Sequence, residues 1–431
     1  MPSEKKSWFA RYCTPPPPIN NTSVCPCSSC YNLGGNSHNT GMSYSYPYGY
    51  SPSSPASSRS TEPRSSSLRS SSSDSASISS AETVTTTTHI EHIFIFPLFF
   101  KLASSQVIMP SPNVDPALLE ALGLDPAASE INSHGGSGFA STFKLSSTKD
   151  GKRVNYFVKT GTGKDAEVMF RGEHASLNAI HNTVPSLCPR SHAHGALSAP
   201  GKFFLATDFL DLGSSAPGGS GLTLAAKLAE LHTTPAPVPG GCDSPVFGFP
   251  VPTCCGATEQ DNDYKASWGD FYAENRLRAI LRAAAKNNGP DAELERAVDA
   301  VAGRVVPRLI GDGTVKNIVP VVIHGDLWSG NHSRGQIGGQ GGCEEVVYDP
   351  SSVYGHSEYE LGIMKMFGGF SGHFWKEYET LVPKAEPVGE WEDRVKLYEL
   401  YHHLNHYAMF GGGYRQGAMS IMKRLIAKYG S

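Results

Sequence analysis

The residues best suited to chemistry lie in one short run, His324-Gly-Asp-Leu-Trp-Ser-Gly-Asn331, directly after the apolar stretch Val319-Pro-Val-Val-Ile323. A second apolar segment closes on Val346-Val-Tyr-Asp349. A loop of the form H-x-D-x-x-x-x-N, followed by a strand that ends in Asp, is how kinase-type phosphoryl-transfer sites order their carboxylates and metal-holding oxygens. Such a reaction needs a carboxylate beside the acceptor hydroxyl to position it and take its proton, a role that suits Asp326. It also needs hard oxygen ligands for Mg²⁺, which Asn331 and Asp349 supply. Each residue alone could equally sit in a polar turn between buried strands. The argument for chemistry rests on the ordered set.

Upstream, Ser133-His-Gly-Gly-Ser-Gly138 places Gly135, Gly136 and Gly138 where backbone N–H groups can approach phosphates. No Gly-Lys-Ser/Thr follows, so this is not a Walker A loop. The next strand, Val154-Asn-Tyr-Phe-Val-Lys159, ends in a lysine, and a helix behind it carries Glu173. A strand lysine that contacts the α/β-phosphates of ATP and pairs with a helical glutamate is the expected companion of a Gly-rich loop. Lys164 and Glu167 compete for these roles, although Lys164 falls in a turn. Phe203 to Leu212 reads as a strand running into a hinge against which adenine would rest.

Hydrophobic periodicity supplies the elements that must position these groups. It predicts a short helix over 117–124, then strands over 139–145 and 154–159 joined through Asp150-Gly151, a hairpin-turn pair. A helix over 166–180 and a strand over 203–209 complete a small mixed unit. Beyond Leu212 the pattern turns helical, over 222–231, 271–285, 294–305 and 391–409, interrupted by short β-like segments at 319–323 and 345–348. The expectation is an α+β, two-lobed, protein-kinase-like fold: a β-rich N-lobe over 109–211, a mainly helical C-lobe over 212–431, and a ligand cleft between them.

Residues 1–108 differ in texture. Ser51 to Thr88 is mostly Ser and Thr with a few charges, too poor in apolar surface to offset its ordering entropy, so this region is expected to be a disordered leader, an extension from an upstream start or a misjudged gene model. Its one apolar patch, Ile90 to Phe100, contains Pro97 and falls short of the roughly 20 residues that span a bilayer. No signal peptide is recognised, and nine cysteines without a repeated spacing favour a reducing compartment, with the cytoplasm expected. Cys25-Pro-Cys-Ser-Ser-Cys30 lacks the second pair that a structural zinc site needs. A net charge of −4 leaves no electrostatic footprint for nucleic acid. Cys254-Cys255 reads as a loop pair, and His402 and His406, one helical turn apart, lack a metalloprotease context.

The filling Leu327-Trp-Ser-Gly330 of the loop resembles the fructosamine kinase (ketosamine 3-kinase) family more closely than the choline kinases and aminoglycoside phosphotransferases that share the generic H-G-D-x-x-x-x-N. Asp349-Pro-Ser-Ser-Val-Tyr-Gly-His-Ser-Glu-Tyr-Glu-Leu361, Leu228-Ala-Glu-Leu-His232, Phe247-Gly-Phe with Gln260-Asp-Asn262 and Trp268, and Tyr398 to His406 with Phe410 and Tyr414 are similar to further family segments. The resemblance spans roughly 115–429. It implies ATP- and Mg²⁺-dependent phosphorylation of the 3-hydroxyl of ribulosamines or fructosamines on protein lysines or small ketoamines, which leads to deglycation. It also makes His402 and His406 structural. Trp328 and His356 could contact the sugar or merely pack, with Trp328 the favoured candidate for substrate. Glu360 stands where the family often has Asp. The rivals are another small-molecule phosphotransferase, of the choline or aminoglycoside kind, and an inactive module that binds glycated protein.

Overall fold

The computed structural model describes residues 114–136, 140–316 and 318–431. The leader, its apolar patch and Cys25 to Cys30 lie outside the described residues, as does Gly138 in the Gly-rich turn.

The first part is built on a five-stranded antiparallel sheet. Helix α1 (Pro116–Leu122) leads into strands β1 (Glu130–Gly136), β2 (Ser141–Lys149) and β3 (Lys152–Thr162). Helix α2 (Lys164–Thr183) follows, then β4 (Ser191–Ala196) and β5 (Lys202–Asp208), in the spatial order β1-β2-β3-β5-β4. The β2–β3 turn shows how the local sequence sets this register. Lys149 pairs with Lys152, so the loop is just Asp150 and Gly151, and both adopt positive φ (51° and 72°). A two-residue turn of that hand matches the right-handed twist of the strands it joins. One face of the sheet buries Leu145, Tyr156, Val158, Phe204 and Ala206 against Leu118, Leu119 and Leu122 of α1. α2 lies on the other face, with Ala166 and Phe170 packed against Leu205. Its N-terminal turn carries Asp165 and Glu167, favourable at the positive end of the helix dipole.

Strand β6 (Leu210–Asp211) leaves this sheet and pairs with a strand of the second part. Helix α3 (Leu224–Thr233) is followed by a small hairpin of β7 (Thr253–Cys255) and β8 (Thr258–Gln260). Next come α4 (Trp268–Phe271), continued through a π-helical stretch into α5 (Ala279–Asn288), and α6 (Ala292–Ala300), likewise continued into α7 (Val306–Ile310). Four short strands hold the candidate site: β9 (Val321–Ile323), β10 (His332–Ile337), β11 (Glu344–Val347) and β12 (Val353–Gly355). β12 pairs with β9, and β11-β10-β6 forms a three-stranded sheet. Helices α8 (Glu358–Phe367), α9 (Gly372–Leu381), α10 (Trp391–Phe410) and α11 (Tyr414–Tyr429) complete the fold. α10 is the central element and is buried on nearly every side. Leu397, Tyr398, Leu400, Tyr401 and Leu404 pack against Trp268, Tyr272, Tyr359 and Leu425. A second apolar cluster joins Leu177 and Ile180 of α2 to Leu228 of α3, Val322 of β9, Leu327 and Val347. It therefore ties the helix behind the sheet to the strands that carry the loop 324–331.

The helices and strands expected from periodicity are present, with ends shifted by a few residues. Strands β1, β4, β7, β8, β10 and β12 and helices α8, α9 and α11 lay outside the sequence expectations; β1 runs into the Gly-rich turn. α11 carries its apolar positions among Lys and Arg, while β4 contains two histidines and alternates only weakly.

Candidate active site

Strand β9 delivers the chain to His324 in the middle of the core, where it turns sharply. Gly325 has φ +82°, and a Cβ there would stand 2.1 Å from the Ser351 carbonyl oxygen, so the turn requires glycine. His324 is fully buried. One ring nitrogen, Nε2, lies 3.0 Å from the Tyr348 carbonyl, and the other, Nδ1, accepts from the Asp326 N–H at 3.3 Å. That assigns Nε2–H as the neutral tautomer, and burial holds the ring below its ordinary pKa. His324 thus braces the loop from inside, between Asp326 and the strand that ends at Asp349.

The backbone of this turn is held by a carboxylate. Glu360, in the first turn of α8 and fully buried, accepts from the His324 N–H at 2.6 Å, the Gly325 N–H at 3.1 and 3.2 Å, and the Leu327 N–H at 3.4 Å. His232 of α3 stands behind it, with Nε2 3.8 Å from a Glu360 oxygen and Nδ1 2.7 Å from the Tyr378 hydroxyl. Burial opposes the charge on Glu360. The neighbouring His232 and His324 and the Gly325 N–H outweigh it, so the carboxyl lies below its ordinary value. A carboxylate that accepts several backbone N–H bonds behaves this way.

Asp326 therefore projects from a rigid turn. Asn331, five residues on, donates its side-chain N–H to the Asp326 carbonyl at 2.9 Å and lies 3.5 Å from a carboxylate oxygen. The Cys255 thiol lies 3.7 Å from the other Asp326 oxygen. Burial pushes the Asp326 carboxyl up to about 8, and the charges of Asp349 and Glu360 add to the rise. Trp328 folds its ring back over Gly330, where a Cβ would collide with it, and turns an edge toward Phe367 at 6.3 Å. It stays partly exposed.

Three segments far apart in sequence meet at Lys159. Its Nζ donates to Glu173 Oε1 and to Asp349 Oδ1, both at 2.7 Å. Burial works against the lysine's charge, but the two carboxylates outweigh it and hold its pKa above the ordinary value. Glu173 is raised by its own burial and by repulsion from Asp349, against the pull of Lys159. The ammonium is thus the charge on which both carboxylates depend. Asp349 is the more exposed of the two and has φ +58°, a conformation uncommon outside glycine. The competing Lys164 and Glu167 pair with each other at the surface, 3.1 Å apart, and take no part.

Gly135 and Gly136 end β1, where Gly136 pairs with Ser141 of β2, so they flank the tip of a hairpin. His134, next to them, sets its ring 5.0 Å from Phe209 in the hinge. The backbone of Phe209 is committed, its N–H to Asn155 and its carbonyl to Gly338. His356 does not reach the cleft. It is buried with its Nδ1 2.9 Å from the Tyr398 hydroxyl, which in turn accepts from Trp268 Nε1–H. This polar contact lies inside the aromatic core and fits packing, the other role open to His356. His402 is fully buried, and His406 packs among Phe367, Phe410 and Tyr414.

Sequence reasoning passed over the roles of Glu360, His232 and Cys255. Glu360 was visible only as one position of a family segment. Its physical signal is an acid among the apolar residues of Glu358-Tyr-Glu-Leu-Gly-Ile-Met364, which must be satisfied from outside its own helix.

A strand lysine paired with a helical glutamate and an Asp at a strand end, facing a loop that carries Asp and Asn, defines a phosphotransferase of the kinase-like fold. The family model described as fructosamine kinase matches residues 114–428. Mouse ketosamine-3-kinase is 34% identical over 310 residues, which is 68% of this chain and 94% of that protein. The chloroplastic protein-ribulosamine 3-kinase of Oryza sativa subsp. indica is 34% identical over 319 residues, covering 71% of this chain and 85% of its own length. A crystal structure of a provisionally named fructosamine-3-kinase from Haemophilus somnus superposes with a TM-score of 0.55 at 23% identity. It covers 73% of this chain and 97% of that one and speaks for the fold. The chain belongs to the fructosamine kinase family, and it is a kinase that phosphorylates a hydroxyl group.

Proposed function

We propose that this enzyme transfers the γ-phosphoryl of ATP to the 3-hydroxyl of ketoamines on protein lysines, ribulosamines or fructosamines, and so starts their removal. The observation that carries the proposal is the convergence of Lys159, Glu173 and Asp349 opposite Asp326 and Asn331, in a chain of this family. In the reaction the sugar oxygen bonds to the γ-phosphorus and the bond from that phosphorus to the ADP oxygen breaks. The hydroxyl proton passes to Asp326. Small ketoamines would serve as well, since the chemistry concerns only the sugar.

The residues suit these roles. Lys159 is a preorganised cation for the α/β-phosphates, oriented by Glu173. The Gly-rich turn that holds Gly135, Gly136 and, outside the described residues, Gly138 would bring backbone N–H groups to the phosphates in this reading. The elevated pKa of Asp326 makes its ionised form a stronger proton acceptor, and a cation bound nearby would favour that ionised form. Asn331 and Asp349 form a donor set of oxygens only, and the mutual repulsion of Asp326 and Asp349 favours a cation between them and the phosphates. Among the described residues, no group of three or more His, Cys, Asp or Glu could hold a metal by itself. That is consistent with Mg²⁺, which binds through one or two carboxylates together with substrate phosphates. When bound, the ion would neutralise charge on the transferring phosphoryl group. Trp328, partly exposed two residues after Asp326, is our candidate to lie against the sugar.

The test is ATP-dependent phosphorylation of ribulosyl- and fructosyl-lysine by wild type and Asp326→Asn. Loss of the positioning and proton-accepting carboxylate should lower kcat by ~10²-fold or more. A wild-type protein that binds ATP yet phosphorylates neither ketoamine overturns the substrate assignment.

A further inference from the structure

The β7–β8 hairpin supplies a group that the mechanism above leaves unused. Cys255 ends β7 and is 1% exposed, with its Sγ 3.7 Å from Asp326 Oδ1. Burial, reinforced by the Asp326 charge, pushes the thiol well above its ordinary value, so it stays an S–H donor. Its mount is held on several sides. The Cys255 carbonyl accepts from Asn405 of α10 at 3.2 Å, and Ala257 N–H reaches Met409 Sδ at 3.4 Å. Gln260 of β8, paired with Thr253 at the far end of the hairpin, donates to the Tyr401 hydroxyl at 2.7 Å, and its side-chain oxygen accepts from Thr253 and from Ser351. The thiol is therefore placed by α10 and by the segment after Asp349.

We propose that Cys255 is a positioning residue for the phosphoryl transfer: its S–H fixes one oxygen of Asp326, so that the other faces the acceptor hydroxyl. Asn331 approaches the second oxygen at 3.5 Å, and the pair of contacts sets the carboxylate plane. A thiol is a weak donor. It orients the carboxylate without taking up its proton affinity as strongly as a hydroxyl or ammonium would. Cys254, its neighbour, is raised by burial and by the charges of Glu259, Asp165 and Glu173.

The inference rests on the proposed role of Asp326, and the experiment separates the two. Cys255→Ala, Cys255→Ser and Cys255→Val are compared with wild type for kcat and KM on ribulosyl-lysine and for direct ATP binding. Ala and Ser are close in size, so their difference isolates the hydrogen bond, while Val fills the space without a donor. Misplacement of a reacting group by about 1 Å can cost ~10²-fold. The expected result is a fall in kcat of roughly tenfold or more for Ala and Val. Ser is expected to retain most activity, and KM and Kd for ATP to stay close to wild type. If Ala folds poorly, the Ser–Val comparison carries the test. Two outcomes overturn the proposal: Ala or Val that keeps kcat near wild type, or Val that restores activity while Ser does not. A wild-type enzyme inactive on every ketoamine instead overturns the functional assignment.

Discussion

Replacing Glu360 tests whether the catalytic loop is held from beneath. The carboxylate satisfies three buried backbone N–H groups, those of His324, Gly325 and Leu327, and water cannot readily replace it in a fully buried position. Each buried donor left unsatisfied costs about 1–3 kcal/mol. Glu360→Ala therefore removes at least ~3 kcal/mol, a large part of the ~5–15 kcal/mol that holds a typical domain together. Glu360→Gln keeps one acceptor oxygen but turns an NH₂ group toward the remaining N–H donors, for roughly 1–3 kcal/mol. The sign of the pH dependence follows from the depressed pKa. A carboxyl held below its unfolded value contributes stability that is complete above about pH 4.3. That contribution is lost as the pH falls through the lower, folded value. The Gln variant lacks it, so its stability deficit should narrow in acid. Urea unfolding at pH 7 and between pH 3 and 5, followed by kcat on the folded fraction, provides the assay. The kcat of the Gln variant should fall ~10–100-fold as the loop carrying Asp326 relaxes. An alanine variant within 1 kcal/mol of wild type, with kcat intact, refutes the idea that this carboxylate organises the loop.

Three further outcomes are expected. Lys159→Ala should weaken ATP binding ~10–100-fold, the worth of a charge-assisted bond of about 1.5–3 kcal/mol. Glu173→Gln should cost less, because Asp349 still holds the lysine; titration calorimetry with ATP and Mg²⁺ measures both. Arg394 is fully buried and donates to both oxygens of Glu358, at 2.7 and 3.0 Å. Arg394→Ala strands that carboxylate and should destabilise the fold by ~3–5 kcal/mol, seen as a lower denaturant midpoint.

The order of the loop residues Asp326 and Asn331, the strand-end Asp349 and the strand Lys159 was legible in the sequence. Each sits at a fixed offset from an apolar run that folds as a short strand, and local patterning sets where such a strand ends. The Asp150-Gly151 turn was legible for the same reason, since two left-handed residues determine a hairpin without outside help. Tertiary structure decided which carboxylates Lys159 meets. Glu173 lies 14 residues from it and Asp349 lies 190, and only the packing of α2 and β11 around the lysine selects that pair over Lys164 and Glu167. Tertiary structure also sent His356 into the aromatic core and brought Glu360 beneath the loop and Cys255 beside Asp326. None of these has a local signal. A buried polar side chain is placed by whichever distant donor or acceptor satisfies it, and that partner exists only once the chain has folded.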